Sequence, residues 1–289
     1  MSRSEKTRAN DNDNGHENFV LRQYLRDLIS GSHILHYHDV LDAFGHLSFR
    51  HPFKPHVFVM SRNAAPGTIS SPSDLIEYFV EDARPVDPNA APGFLERCIH
   101  SECYKRYPQI NSVLHSHAEA VVPYTFSGVP LRACYHMAGF LGTGVPVWDI
   151  VDAQTEDDVS DLLVRNTHLG SSLATAFGAV DRNNDDGDGS DSSPPQHVVV
   201  LMRGHGFTVL AGNMQDCVMR AVYTQKNAAI QSTALTTRAA DPAAVASPIK
   251  YLGEREVRDT TWSIRQSAHR PWGLWLREVE AHGLYSNSA

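Results

Sequence analysis

The chain has little of several features that would point to other classes of protein. Its four cysteines form no C-x-x-C pair, which argues against a zinc ribbon and against a disulfide framework. Its apolar runs all fall short of the roughly 20 residues that a membrane-spanning helix needs. Acidic residues outnumber basic ones by 33 to 25, which gives a net charge of −8 without a basic face. We therefore expect neither a nucleic acid nor a membrane as a partner.

The first segment and the lysines bear on the location of the protein and on the chemistry that it can use. Residues 1–17 are polar and lack the apolar stretch of a signal peptide, so we expect a disordered tail and a cytoplasmic protein. Lysines are few, and none lies in a sequence that indicates an apolar pocket. Chemistry through a Schiff base is therefore not expected. The lysines are Lys6, Lys54, Lys105, Lys226 and Lys250.

Apolar patterns predict strands interleaved with helices. Strands are predicted at 43–51, 56–61, 75–80 and 110–117, and two more within 197–212. Helices are predicted at 19–32, 93–107, 159–180 and 214–237, with a further one after 117 and a helical arm over 241–289. This alternation predicts an α/β protein in which helices are layered on a sheet.

One segment, 181–196, differs from the rest in composition. Its sequence DRNNDDGDGSDSSPPQ carries five aspartates and one arginine, a net charge of −4. The start resembles a calcium-binding loop, but Asp186 stands where the loop needs glycine, and the closing glutamate is missing. We expect a flexible acidic insertion at the surface, with a calcium site as the alternative.

Two histidines at the end of a predicted strand are candidates for metal binding. His115 and His117 are two residues apart, so their side chains project from the same face of a strand. Two imidazoles on one face can bind one cation. An H-x-H pair alone is a weak signal, and by itself it leaves a purely structural role open.

A third histidine strengthens this interpretation. His205 lies in Arg203-Gly204-His205-Gly206, between two predicted strands, where glycines let the backbone pass close to another group. A tight hairpin with an exposed histidine is the alternative. Taken together, the two segments favour a three-histidine site with open coordination positions, which is typical of catalytic metal sites. Glu102, 13 residues before His115, can be a fourth ligand or a base, or only a solvated helix residue.

The motifs HSECYKRYPQINSVLHSH (100–117) and RGHG (203–206) resemble the class II aldolase and adducin family. The resemblance extends from about Leu21 to Ala234, so we expect a domain over 18–240. It implies a three-layer α/β/α fold with a central mixed, mostly antiparallel sheet. It also implies a homotetramer with active sites near subunit interfaces. By position, it implies that Zn²⁺ or a similar ion is held by Glu102, His115, His117 and His205.

Further motifs are similar to the hydroxyaromatic-acid and semialdehyde decarboxylases of the same superfamily. They are DAFGHLSFRHP (42–52), FVMSR (58–62), YHMAGFLG (135–142) and a tail with Arg270, Trp272 and Trp275. Sugar-phosphate aldolases carry small residues in the first motif, where this chain has Phe44 and His46. The resemblance implies proton transfer by Glu102 and His136. It implies substrate binding by His46, Ser48, Ser61, Arg62, Ser101 and Arg203.

We therefore expect a carbon–carbon lyase with one divalent metal ion per subunit. Decarboxylation of a hydroxyaromatic or keto carboxylic acid leaves an electron pair that must delocalise onto an oxygen, and a cation bound to that oxygen stabilises the resulting enolate. An aldolase acting on a hydroxy-carbonyl compound meets the same requirement. An iron-dependent oxygenase and a non-catalytic scaffold are further alternatives. We expect Zn²⁺ first, although Fe²⁺, Mn²⁺ and Co²⁺ also suit such ligands.

Overall fold

A seven-stranded sheet forms the centre of the computed structural model, which describes residues 3–178 and 193–289. Its strands are β1 His46–Arg50, β2 Val57–Ser61, β3 Leu75–Phe79, β4 Ser112–Ser116, β5 Val147–Trp148, β6 Val199–Met202 and β7 Gly206–Ala211. They lie in the order β3-β2-β1-β4-β7-β6-β5. Only the β5–β6 pair is parallel, so the prediction of a mixed, mostly antiparallel sheet is confirmed.

Helices cover both faces of this sheet. They are α1 Arg3–Tyr37, α2 Arg97–Arg106, α3 Pro123–Phe126, α4 Thr167–Thr175, α5 Met214–Ala239, α6 Pro242–Val245, α7 Glu254–Arg265 and α8 His269–Ala281. One apolar core joins α1, α5 and α8 to side chains such as Leu47 and Leu114, and a second joins α2 and α4 to Phe58 and Val113. Neighbouring residues of a strand thus enter different cores, because successive side chains point to opposite faces. The three-layer α/β/α prediction is confirmed.

The observed elements differ from the predicted ones mainly at helix ends. α1 extends back to Arg3, although the disordered tail predicted for 1–17 remains a prediction. α4 is much shorter than the predicted 159–180, because the side chain of Asn166 caps it by accepting a hydrogen bond from the amide of Leu169. The helix predicted after β4 is only the four-residue α3. The two-residue β5 was not predicted.

The arm over 241–289 contributes to the first core through Trp272 and Trp275 of α8. Most of the acidic segment 181–196 lies outside the described residues, but the chain on its two sides is closely joined. The amide of His197 donates to the carbonyl of Phe177 over 2.9 Å. Within the described residues, no helix is both long and apolar enough to cross a membrane.

Candidate metal centre

Three histidines meet where interior strands of the sheet end. His115 belongs to β4, and His117 is the first residue beyond that strand. His205 lies in the turn between β6 and β7. Because β4 and β7 are antiparallel neighbours, with Ser116 opposite Phe207, the end of one strand lies beside the start of the other. The structure thus brings together the three histidines that the sequence singled out.

Their Nε2 atoms converge. The Nε2 atoms of His115 and His117 are 2.9 Å apart, and those of His117 and His205 are 3.0 Å apart. The Nδ1 atoms of His115 and His205 are buried and have no hydrogen-bond partner among the described residues. Neutral imidazoles that turn three Nε2 atoms toward each other bring several lone pairs to one point, an arrangement that a bound cation stabilises.

The turn that carries His205 depends on its two glycines. Gly204 has a φ of +63°, a left-handed conformation that side chains with a Cβ rarely adopt. A Cβ on Gly206 would lie 2.1 Å from the carbonyl oxygen of Ser116, so only glycine lets β7 approach β4 at this point. The amide of Gly204 also donates to the hydroxyl of Thr125 over 3.0 Å. The local sequence therefore holds His205 against the end of β4.

A carboxylate completes the cluster, and it belongs to Glu96. One carboxylate oxygen of Glu96, Oε2, lies 3.6 Å from Nε2 of both His115 and His205. The other, Oε1, accepts a hydrogen bond from the amide of Val164 over 3.0 Å. All four ligand atoms lie within 4.8 Å of one another. Three imidazole nitrogens and one carboxylate oxygen are a donor set that divalent zinc, iron, manganese and cobalt accept, so these residues fit a metal ion.

The sequence motifs had pointed to Glu102 instead, and the structure places that residue elsewhere. Glu102 is in the middle of α2, with its carboxylate 3.4 Å from the amine of Lys105. α2 leads into β4 through a short loop and runs back along it, so the start of α2 lies near the end of β4. Glu96 is at that start, whereas Glu102 is six residues, or about 9 Å, farther along the helix. Glu102 therefore does not reach the three histidines.

Burial makes the cluster electrically unusual. It lowers the pKa of His115 well below its ordinary value, helped by the neighbouring histidines, and it lowers the pKa of His205 to about 4. It also lowers the pKa of His117, which the nearby Asp42 partly offsets. Burial raises the pKa of Glu96 to about 7. The imidazoles are therefore neutral at physiological pH, with lone pairs free for a cation, while Glu96 can gain or lose a proton.

His46 and Ser48 lie on the same face of the sheet as this cluster, on the neighbouring strand β1. His46 pairs with His115 in the β1–β4 register, and the two rings are 5.3 Å apart. His46 donates to or accepts from His100 of α2, and Ser48 bonds the other nitrogen of His100. The structure thus brings His46 to the histidines and places Ser48 one layer deeper.

The other predicted substrate-binding residues have partners of their own. Arg62 pairs with Asp74 at 2.9 Å, and Arg203 pairs with Asp149 at 2.5 Å. Ser101 donates to the carbonyl of Cys98 within its own helix. Ser61 is buried at the end of β2. The described contacts do not bring these four residues to the histidines.

His136 is not at this cluster either. It begins a short 3-10 turn, His136–Leu141, whose apolar members Ala138 and Leu141 are buried while His136 itself is exposed. A Cβ on Gly139 would lie 2.2 Å from the hydroxyl of Thr260, which shows how closely this turn packs on α7. The apolar stretch around His136 therefore reflects the contact with α7, and it does not bury the histidine.

A cavity of about 520 Å³ opens beside His117. It is lined by His36, Asp39, Val40, Leu41, Asp42, His117, Ala118, Glu119, Ala120 and Gln225. Drug-sized ligands occupy cavities of this order. Another groove, of about 780 Å³, lies between α5 and α6 and touches none of the clustered histidines. The cavity beside His117 therefore borders the candidate metal centre through that histidine.

The buried histidines predict that the metal-free protein loses stability in mild acid. Burial lowers the pKa of His100 to about 3, so the folded protein keeps this residue neutral where the unfolded chain protonates it. Below the ordinary pKa, about 6.5, the unfolded state binds the extra proton and is favoured as the pH falls. His100 alone should cost about 1.4 kcal/mol of unfolding free energy per pH unit between about pH 6.5 and 3.

Glu96 acts in the opposite direction, because its raised pKa stabilises the folded state as the pH falls from about 7 toward its ordinary value. Histidines with a lowered pKa, which include His46, His115 and His205, outnumber it. Urea unfolding in EDTA between pH 7.5 and 5 measures the net slope. His100→Asn should reduce that slope by about one proton. An unchanged slope in this variant would contradict the assignment.

Comparisons with known proteins agree on one family. Residues 26–232 match the model of the class II aldolase and adducin N-terminal domain. Decarboxylase tropJ from Talaromyces stipitatus is 51% identical over 267 residues, which cover 92% of this chain and 97% of that protein. A 3,4-dihydroxyphthalate decarboxylase from Rhodococcus jostii is 28% identical over 193 residues, covering 61% of this chain and 65% of its own.

Solved structures agree on the fold. An L-fuculose 1-phosphate aldolase from Glaciozyma antarctica superposes with a TM-score of 0.67 at 15% identity, covering 91% of each chain. An aldolase II superfamily protein from Pseudomonas syringae superposes with a TM-score of 0.64 at 14% identity, covering 91% of this chain and 94% of its own. At such low identity these structures support the architecture and carry no information on the substrate.

Proposed function

The chain belongs to the class II aldolase and adducin family and is an enzyme, a lyase, and from this premise we propose that it is a divalent-metal-dependent decarboxylase. Its substrate is a hydroxyaromatic or keto carboxylic acid. The observation that carries the proposal is the convergence of three imidazole Nε2 atoms and the carboxylate of Glu96 beside an open cavity. The 51% identity to a decarboxylase over nearly the whole chain favours decarboxylation over aldol cleavage.

In this proposal His115, His117, His205 and Glu96 hold the metal ion. When bound, such an ion supplies a positive charge that stabilises the negative oxygen formed as the carbon–carbon bond breaks. We propose Zn²⁺ as this ion, while Fe²⁺, Mn²⁺ and Co²⁺ suit the same donors. Asp42 stabilises the site without being one of these ligands. Its carboxylate lies 3.8 Å from Nδ1 of His117 and favours a proton on that nitrogen.

Decarboxylation also requires a proton for the carbon that loses carbon dioxide. The bond between this carbon and the carboxylate breaks, the electron pair stays on the substrate, and the carbon then takes up a proton. Glu96 is suited to deliver it once the substrate has displaced this carboxylate from the cation, because burial alone raises the pKa of Glu96 to about 7. The hydrogen bond from the amide of Val164 to Oε1 leaves Oε2 directed at the histidines. Glu96 can therefore serve as a ligand while it is deprotonated and as a proton donor when it is displaced from the cation.

Assembly and location are part of the same proposal. We propose a homotetramer, as the family resemblance implies, in the cytoplasm. The exposed position of His136 fits a role at a subunit contact better than a role in the cluster of its own chain.

The product of the reaction tests the proposal. The metal-loaded enzyme, incubated under argon with 3,4-dihydroxyphthalate and with a panel of hydroxybenzoic and keto acids, should release one carbon dioxide for each acid consumed. Release of an aldehyde from a hydroxy-carbonyl compound, with no carbon dioxide from any acid, would favour an aldolase. Turnover that requires both iron and dioxygen would favour an oxygenase.

A further inference from the structure

Four buried polar side chains form a hydrogen-bonded chain that ends at the candidate metal centre. The hydroxyl of Tyr104 lies 2.7 Å from Oγ of Ser48, and that Oγ lies 2.6 Å from Nδ1 of His100. Nε2 of His100 lies 2.7 Å from Nδ1 of His46. None of the four residues is more than 2% exposed. These contacts are short and shielded from solvent, so the position of each hydrogen matters.

The arrangement follows from the pairing of one helix with one strand. His100 and Tyr104 are four residues apart and therefore share a face of α2. His46 and Ser48 are two residues apart and share a face of β1. Arg50, the next residue on that face, holds the far end, because its guanidinium donates to the carbonyl of Tyr104 and lies over the Tyr104 ring.

The hydrogens available on the four side chains favour one direction of donation, from Tyr104 toward His46. Among the described residues, Ser48 is the hydrogen-bond partner of the Tyr104 hydroxyl. A buried hydroxyl hydrogen without an acceptor is costly, so Tyr104 donates to Ser48. Ser48 then has one hydrogen to donate, either to Nδ1 of His100 at 2.6 Å or to the carbonyl of Val113 at 3.4 Å. The shorter contact is the better hydrogen bond. His100 therefore accepts at Nδ1 and, as a neutral imidazole, carries its hydrogen on Nε2.

The position of the hydrogen on His46, the last of the four residues, follows in the same way. Because Nε2 of His100 donates, Nδ1 of His46 accepts, and a neutral His46 must carry its hydrogen on Nε2. The ring of His46 packs against that of His115, opposite it in the β1–β4 register. With Nδ1 engaged by His100, the N–H of His46 is on the remaining side of a ring that borders the histidine cluster.

We propose that Tyr104, Ser48 and His100 are positioning residues that hold His46 in the Nε2–H tautomer, so that His46 donates a hydrogen bond to an anionic oxygen of the substrate. The inference rests on the proposed function, because it concerns the same site. A fixed N–H stabilises the charge that develops on a substrate oxygen, whereas the other tautomer would present a lone pair to it. The four hydrogen-bonded side chains therefore favour a substrate that places an anionic oxygen beside the metal.

Neutron diffraction from crystals of the zinc-loaded protein in D₂O tests the tautomer without any need for turnover. Deuterium is expected on Nε2 of His46 and on Nε2 of His100. Deuterium on Nδ1 of His46 would overturn the proposal. This readout remains valid if the enzyme proves not to be a decarboxylase, so the two proposals can fail separately.

Binding of salicylate, which carries a carboxylate beside a hydroxyl, tests the consequence. In Ser48→Ala and in Tyr104→Phe, the Kd for salicylate measured by calorimetry should rise about tenfold, within the 10–100-fold range typical of residues that orient a metal site's groups. Zinc content should stay at the wild-type level. Ser112→Ala is the matched control, because Ser112 is an equally buried serine of β4 whose hydroxyl donates to the backbone carbonyl of Ser48 and contacts none of the four side chains.

The control should bind salicylate as the wild type does. A wild-type Kd in Ser48→Ala would overturn the positioning role. So would a loss of zinc in that variant, since the chain would then act on the metal and not on His46. Thermal unfolding of each variant identifies any that is too destabilised to bind, and in that case Tyr104→Phe, which keeps the ring, gives the deciding value.

Discussion

Replacing His115 and His117 together by alanine should remove the metal and abolish turnover. The double variant loses two of the three converging nitrogens, and the remaining His205 and Glu96 cannot hold a divalent ion at a useful concentration. Metal assistance contributes several kcal/mol to such reactions, so the rate should fall by about a thousandfold or more. Metal analysis after gel filtration measures the first effect, and release of carbon dioxide measures the second.

His56→Ala is the matched control, because His56 is exposed and lies outside the cluster. It should retain metal and activity. The double variant should keep its circular dichroism spectrum and its elution volume, since Nδ1 of His115 has no hydrogen-bond partner among the described residues and His117 is only partly buried. A double variant that retained one metal ion per subunit would show that these histidines are not the ligands.

Glu96→Gln should lower kcat by about 10²–10⁴-fold, the range expected when a proton donor is lost. The amide keeps the size of the side chain and can still accept from Val164, so the fold should be preserved. Glutamine cannot carry the proton that the product carbon needs. Steady-state kinetics with carbon dioxide detection measures the loss, and metal analysis shows whether a ligand is lost as well.

Glu102→Gln provides the comparison, because it removes the carboxylate that the sequence motifs had favoured. We expect kcat within about threefold of the wild type, since this side chain contacts Lys105 and does not reach the histidines. If Glu102→Gln were the inactive variant and Glu96→Gln the active one, the geometric assignment would be wrong.

The glutamate shows how far sequence reasoning reaches. The histidine pair was recognisable because it ends an apolar strand, and His205 because glycines flank it. Choosing between Glu96 and Glu102 required knowing that α2 returns along β4, so that only its first residues approach His115. One signal was available: Glu96, His100 and Tyr104 recur every four residues, whereas Glu102 is two residues from His100 and therefore on the other side of the helix.

Other elements were predictable to different degrees. The strands other than β5, and α5, have regular apolar patterns, and their bounds were correct within a few residues. α4 was predicted too long, because apolar residues lie before Asn166, although the capping side chain of Asn166 sets the start of the helix at the next residue. His136 was expected in the site because its motif resembles the decarboxylases, but the turn that it begins packs on α7 and leaves His136 exposed. Contacts between helices of this kind leave no periodic signal in the sequence.

The junction at Phe177 and His197 has a practical consequence. The hydrogen bond between them brings the two ends of segment 178–196 together at the start of β6, while His205 follows the other end of that strand. Where the two ends of a segment are already fixed, added residues cost little chain entropy, because doubling the length of a flexible segment costs only about 0.6 kcal/mol. We therefore expect the chain to accept an affinity tag or a fluorescent label between these two residues without any change at the opposite end of the strand.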